Sequence, residues 1–305
     1  MLIAIIIILL IIVYLFLIAP NTGRQEEMTL FSKVYIAHRG LFNNGDGEWV
    51  DDSLGGANNT DKKNTVDANK MISLEETDTE AVIPENSLPA FIRAVEMGYG
   101  IELDTQTTAD GRVVVFHDES LYRMCGVDKK LYECTYEELM KYRLAKMEYR
   151  IPLLSEALEV IDGKVPLIVE VKSEGNWQRT TRMTAEHLDA YKGKFCVESF
   201  HPLVLSWLKK NRPDVLRGQL STNFFRSTLK RAWYENIILI NLMLNFLSRP
   251  DFIAYNYRYK NQPSFFLCRK LFHVVTAAWT IRNEQALIKA KKVFDVIIFD
   301  SFIPD

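Results

Sequence analysis

Cysteine is scarce in this sequence, and so is net charge. The four cysteines, Cys125, Cys134, Cys196 and Cys268, lie far apart, without the paired spacing that builds a zinc site or a dense disulfide framework. Such sparse usage suits a reducing compartment. Against 37 Lys and Arg stand 39 Asp and Glu, for a formal net charge of −2. A chain that grips nucleic acid needs a basic patch to meet the phosphate backbone, and none is visible, so nucleic acid is excluded as a partner. No basic residue precedes the apolar run at the start of the chain, and no small-x-small cleavage site follows it, which disfavours a removable secretion signal.

That apolar run is the first feature present. Leu2 to Ala19 is unbroken and rich in Ile and Leu. At ~1.5 Å per helical residue it nearly crosses a hydrocarbon core of ~30 Å. The expectation is one N-terminal transmembrane helix over 1–20, with membrane attachment through residues 2–19, and a juxtamembrane linker over 21–33. Arg24 and Lys33 follow the run while nothing basic precedes it, which favours a single-pass anchor with the rest of the chain on the cytoplasmic side.

Between 43 and 83 the composition turns to Asn, Asp, Gly, Thr and Glu, with few residues able to pack. This reads as an acidic surface loop, either a disordered insertion or a lid. Asp46, Glu48, Asp51 and Asp52 would suit a calcium-binding loop in type, but they lack the spacing of an EF-hand.

The remainder alternates short β-like runs with helical stretches, the pattern of βα units around a parallel sheet. Strand candidates fall at Val34 to Ala37, Gly100 to Asp104, Val113 to Phe116, Leu167 to Val171, Phe195 to Ser199, Leu216 to Leu220, Phe252 to Tyr255, Val274 to Ala278 and Val296 to Phe299. That is one more than an eight-stranded barrel needs. The fold class is therefore α/β, a TIM (β/α)8 barrel over 34–305 with a small insertion at 119–150. Helices are expected to begin at Ser87, Ser155, Pro202 and Asn283, where a capping residue or proline precedes apolar periodicity. The Ile-, Leu- and Met-rich run from Asn236 to Leu247 is either a buried helix or a membrane-facing one.

Several polar clusters end these strands, at the barrel face where active sites are built. Glu102 and Asp104 are two apart on one strand, so both side chains point to the same face. Glu170 ends another strand, and three converging carboxylates make an oxygen-rich site for one divalent cation, Mg2+ or Ca2+, rather than zinc. His38 and His117 also follow strands and suit a general acid and base acting across a phosphate. Arg39 and Lys172 can neutralise phosphate oxygens. Trp279 either walls the pocket against a substrate's alcohol portion or fills the barrel core.

Taken in order, His38-Arg39-Gly40, Pro84-Glu85-Asn86-Ser87, Gly100-Ile101-Glu102-Leu103-Asp104, Phe116-His117-Asp118 and Glu170-Val171-Lys172 resemble the glycerophosphodiester phosphodiesterase family. The resemblance runs from about Tyr35 to Asp300 and extends to Glu198-Ser199-Phe200 and Trp279-Thr280. It implies that Glu102, Asp104 and Glu170 bind the divalent metal with Glu85 in the same site. It further implies that His38 and His117 are the acid/base pair, and that Arg39 and Lys172 contact phosphate. The activity it implies is hydrolysis of a glycerophosphodiester to sn-glycerol 3-phosphate and an alcohol. Two departures stand out. The loop before Pro84 is longer than usual, and the last strand reads Ile298-Phe299-Asp300 where a Thr-Asp pair is common, which leaves Asp300 without a role. Rival readings are a lysophospholipase D acting on single-chain lipids at a membrane, a phosphoinositide-type phospholipase C, and a binding protein that kept the barrel without catalysis.

Overall fold

A computed structural model describes residues 1–43, 82–226 and 231–304. Nearly all of the acidic loop expected at 43–83 lies outside the described residues.

Eight parallel strands close into a ring. They are β1 (Ile36–Ala37), β2 (Gly100–Thr107), β4 (Leu167–Val171), β5 (Phe195–Ser199), β6 (Arg217–Ser221), β7 (Phe252–Asn256), β8 (Val275–Ile281) and β9 (Val296–Phe299). β1 pairs in parallel with both β9 and β2, which closes the barrel. The ninth strand, β3 (Val113–Val115), runs antiparallel to the far end of β2 and accounts for the surplus candidate. β2 extends to Thr107 because Thr105, Gln106 and Thr107 pair with β3, Thr105 also pairing with Val171 of β4 on its barrel side.

Alternation along each strand sorts the side chains. Ile36, Ile168, Cys196, Leu216, Leu220, Phe252, Ala254, Ala277, Val296 and Ile298 share one parity on their strands and pack into a single cluster that fills the barrel interior. The opposite parity, with Ala37, Ile101, Leu103, Val169, Val197, Ile253 and Phe299, packs against the surrounding helices. Two or four residues beyond the apolar interior positions, the same face becomes polar: His38, Glu102, Asp104, Glu170, Lys172, Glu198 and Asp300. The functional face is thus a continuation of the core pattern.

The expected helix starts are close to those observed. Ser87 caps Leu88–Glu96, its Oγ accepting from Ala90 N, and Asn283 caps Glu284–Ala290 in the same way. Pro202 opens Pro202–Asn211, and the helix expected at Ser155 is Leu154–Ile161. Leu121, Leu131, Leu139, Leu144 and Ile151 form a small core of their own under the insertion that follows His117. The run from Asn236 to Leu247 is not one helix. It belongs to Trp233–Ile240 and Asn245–Ser248, separated at Leu242, whose φ is +56°, and it is only partly buried.

The transmembrane expectation is corrected. The N-terminal helix spans Leu2–Ile18, 17 residues, which at ~1.5 Å each gives ~25 Å, short of a ~30 Å hydrocarbon core. Among the described residues no helix is long and apolar enough to cross a membrane. The final turn of the helix belongs to the barrel wall: Ile18 is buried, Tyr14 and Leu15 pack beside it, and Ile18 O accepts from Asn245 Nδ2 at 2.9 Å. Arg249 donates to Ala19 O and Asn21 donates to Asp251, so the segment read as a juxtamembrane linker begins fastened to the barrel. The single-pass anchor over residues 2–19, and the cytoplasmic placement inferred from it, are withdrawn with it.

Candidate active site

The turn after β1 has a conformation that few side chains adopt. Arg39 and Gly40 both have positive φ, +57° and +79°, and a Cβ on Gly40 would sit 2.9 Å from both Ala90 Cβ and Phe91 Cδ1. Only glycine lets this turn press on the helix that begins at Leu88. The segment before that helix is tied to the same turn, because Asn86 N donates to Arg39 O at 2.9 Å.

Glu102, Asp104 and Glu170 come together at the mouth, with one oxygen from each lying within 4.8 Å of the other two. Arg39 N donates to Glu102 Oε2 at 2.9 Å, and Asn86 Nδ2 donates to Asp104 Oδ2 at 2.7 Å. Lys172 Nζ reaches Asp104 at 2.8 Å and Glu170 at 2.9 Å. Glu198, two residues beyond the apolar Cys196 on β5, joins this cluster as a fourth buried carboxyl, and its Oε2 has no hydrogen-bond donor among the described residues.

Four buried carboxyls around one ammonium leave surplus negative charge. Burial, followed by repulsion from Asp104, Glu170 and Glu198, pushes the Glu102 carboxyl well above the usual carboxylate range. Burial and the charges of Glu170 and Asp104 push Glu198 up as well. Burial acts on Asp104 too, but Lys172, His117 and Arg39 outweigh it and hold that carboxyl well below its usual range. An all-oxygen donor set with excess negative charge and an orphaned carboxylate oxygen fits a hard divalent cation.

Glu85 stands apart from the three-carboxylate group. Its Oε1 accepts from Arg39 Nη1 at 2.8 Å and from Arg123 Nη2 at 2.6 Å, and its Oε2 accepts from Arg123 Nη1 at 3.0 Å. Burial alone would raise its pKa, yet the two guanidiniums bring it down to about 2. Arg123 continues to Asp118, which in turn meets His117 Nδ1 at 2.6 Å. His38 Nδ1 lies 3.0 Å from Asp300 Oδ2. Burial and the neighbouring Arg39 lower the His38 pKa, with Asp300 opposing them. Arg123 and Arg282 were not singled out by sequence; Asp118, Glu198 and Asp300 stood in the motifs that carry the family resemblance or in the departure from them, but none was given a role. The parity of β5 was a further signal for Glu198.

Trp279 is buried at the end of the interior face of β8, edge-on to Phe200 at 5.4 Å, and Phe200 meets Phe224 at 6.2 Å. The Nε1 of Trp279 has no acceptor among the described residues. Beyond them, after the C-terminal end of β6, Phe225, Trp233, Tyr234 and Ile237 are exposed.

Residues 79–303 match the model of the glycerophosphoryl diester phosphodiesterase family. A glycerophosphodiester phosphodiesterase of Caldanaerobacter subterraneus subsp. tengcongensis is 34% identical over 166 residues, 50% of this chain and 65% of that relative. A human lysophospholipase D is 36% identical over 106 residues, 30% of this chain and 33% of the relative. The chain therefore matches less than two thirds of either relative's length. A phosphodiesterase from Oleispira antarctica, solved in complex with the product sn-glycerol-3-phosphate, has a TM-score of 0.61 at 23% identity, covering 89% of this chain and 95% of that one. At that identity the likeness is one of fold.

Proposed function

Because the chain belongs to the glycerophosphoryl diester phosphodiesterase family, we propose that it hydrolyses glycerophosphodiesters to sn-glycerol 3-phosphate and an alcohol. The observation that carries this reading is the buried trio Glu102, Asp104 and Glu170 at the barrel mouth. The product bound to the Oleispira relative agrees with it. A divalent cation held by the trio, Mg2+ or Ca2+, would polarise a phosphoryl oxygen and offset charge that develops there.

The chain's own groups supply the rest. His38 and His117 are the acid/base pair, one taking a proton from the attacking oxygen and the other giving one to the departing alcohol oxygen. His117 has the Asp118 carboxylate at Nδ1, which leaves its Nε2 for the substrate. Lys172 and Arg39 meet the phosphate oxygens, Lys172 exchanging part of its contact with Asp104 and Glu170 for the substrate. Glu85 acts by holding Arg39 and Arg123 in place. Trp279 and Phe200 wall the pocket, and the indole N–H is available to a substrate hydroxyl.

The exposed Phe225, Trp233, Tyr234 and Ile237 favour a second reading, in which the alcohol portion is a single-chain lipid and the enzyme acts as a lysophospholipase D. The human relative of that name is consistent with it. Release of alcohol from a water-soluble glycerophosphodiester and from a lysophospholipid is to be compared, with His38→Ala and His117→Ala as controls. The main reading expects faster turnover of the soluble diester and a loss of at least about 100-fold in each variant. Preference for the lysophospholipid moves the assignment to the second reading, and full activity in both variants overturns the acid/base roles.

A further inference from the structure

Asp300 has no role in the function proposed so far, yet it is among the most firmly held side chains at the mouth. It is only 7% exposed. Its Oδ1 accepts from Arg282 Nε at 2.8 Å and from Ser301 Oγ at 2.6 Å. Its Oδ2 lies 3.4 Å from Arg282 Nη2 and 3.0 Å from His38 Nδ1. Arg282 directly follows β8 and Asp300 directly follows β9, and the two strand ends are further tied by Asp300 N donating to Ile281 O at 3.0 Å. The guanidinium therefore fixes the carboxylate plane from one side while the imidazole meets it from the other.

We propose that Asp300, clamped by Arg282 and Ser301, is a positioning residue that keeps the proton of neutral His38 on Nδ1 and so makes Nε2 its proton-accepting nitrogen. An ionised carboxylate can only accept a hydrogen bond, so the imidazole nitrogen facing it must donate. In neutral imidazole one nitrogen carries the proton and the other is basic, so fixing the first determines the second. When Nε2 takes a proton from the attacking oxygen, the ring becomes a cation whose second N–H already faces the Asp300 carboxylate. That proton later leaves from the same Nε2, and Asp300 itself gains none. Ring orientation and tautomer are thereby set before substrate arrives, a contribution of the kind that makes small misplacements costly. The inference rests on His38 acting in acid/base chemistry.

The first test needs no substrate. In 15N-histidine-labelled wild-type protein, at a pH where His38 is neutral, the nitrogen shifts should show the proton on Nδ1; a proton on Nε2 overturns the proposal. In Asp300→Asn, whose amide can donate, the tautomer balance should shift toward Nε2–H. The kcat should fall about 100-fold or more with KM within a few-fold of wild type. Arg282→Gln, which leaves the carboxylate but loosens it, should give a smaller loss, on the order of 10-fold in kcat, and it carries the kinetic test if Asp300→Asn does not fold. Wild-type kcat and tautomer in folded Asp300→Asn overturn the inference. If His38→Ala is inactive while Asp300→Asn is fully active, only the inference falls. If His38→Ala is itself active, the acid/base reading beneath it falls, while the tautomer measurement still decides the hydrogen-bond assignment.

Discussion

Glu102 holds the least comfortable charge at the site, since three other carboxyls surround it and its nearest polar donor is the backbone N–H of Arg39. Replacing it with Gln keeps an acceptor for that N–H and removes one repelling charge. In chelator, Glu102→Gln should therefore melt at or above the wild-type temperature, by up to ~1 kcal/mol of added stability. In wild-type protein, Mg2+ or Ca2+ should raise the melting temperature, and the variant should lose that rise. Thermal melts with and without cation check both, and an equal shift in the two proteins would contradict the proposed ligand set. Glu85 behaves oppositely. Its pKa is brought from an ordinary 4.5 down to about 2, so its ionised form stabilises the fold above pH ~4.5, and this stabilisation is lost as pH falls toward 2. A shift of that size corresponds to at most ~3 kcal/mol. Denaturant titrations in chelator should find Glu85→Gln less stable than wild type at pH 7, with the gap narrowing as the pH falls from 4.5 toward 2. A gap that does not change with pH would show that the Glu85 charge is not what Arg39 and Arg123 recognise.

At the scale of elements, the turn after β1 and the helix Leu88–Glu96 must meet closely for Arg39 and Asn86 to share a hydrogen bond. Gly40→Ala adds a Cβ at positive φ against Ala90 and Phe91, so it should cost about 2–4 kcal/mol in unfolding free energy. Chemical denaturation reads that directly, and a loss under ~0.5 kcal/mol would mean the turn relaxes elsewhere. These elements also show what a sequence reveals. His38, Glu102, Asp104, Glu170 and Lys172 were legible because strand parity and barrel architecture put strand-end polar residues in one place, whereas His117 follows β3, outside the barrel, and was legible through its motif. The pairing of His38 with Asp300 spans 262 positions and that of Arg123 with Glu85 spans 38, and no local period relates such partners. The antiparallel direction of β3 was equally hidden, since a run of three valines reads the same in either direction.

For the whole molecule, the apolar start of the chain divides into two parts. Leu2 to Val13 is exposed, whereas Tyr14 to Asn21 is packed or hydrogen-bonded against the barrel. Composition alone could not mark that division, because isoleucine and leucine serve a barrel wall as well as a lipid core. Removing residues 2–12 should leave the unfolding free energy within ~0.5 kcal/mol of the full chain, while removing residues 2–21 should lower it by several kcal/mol. Equal stability of the two truncated proteins would contradict the packing of Ile18. Buried carboxylates, two histidines and a lysine converge at the barrel mouth. The most direct measurement is the rate of alcohol release from a water-soluble glycerophosphodiester by the full chain, first in chelator and then on stepwise addition of Mg2+ or Ca2+, beside Glu102→Gln. The account predicts near-zero rate in chelator, saturable recovery with cation in wild type and none in the variant. A rate that ignores cation in both proteins would contradict it.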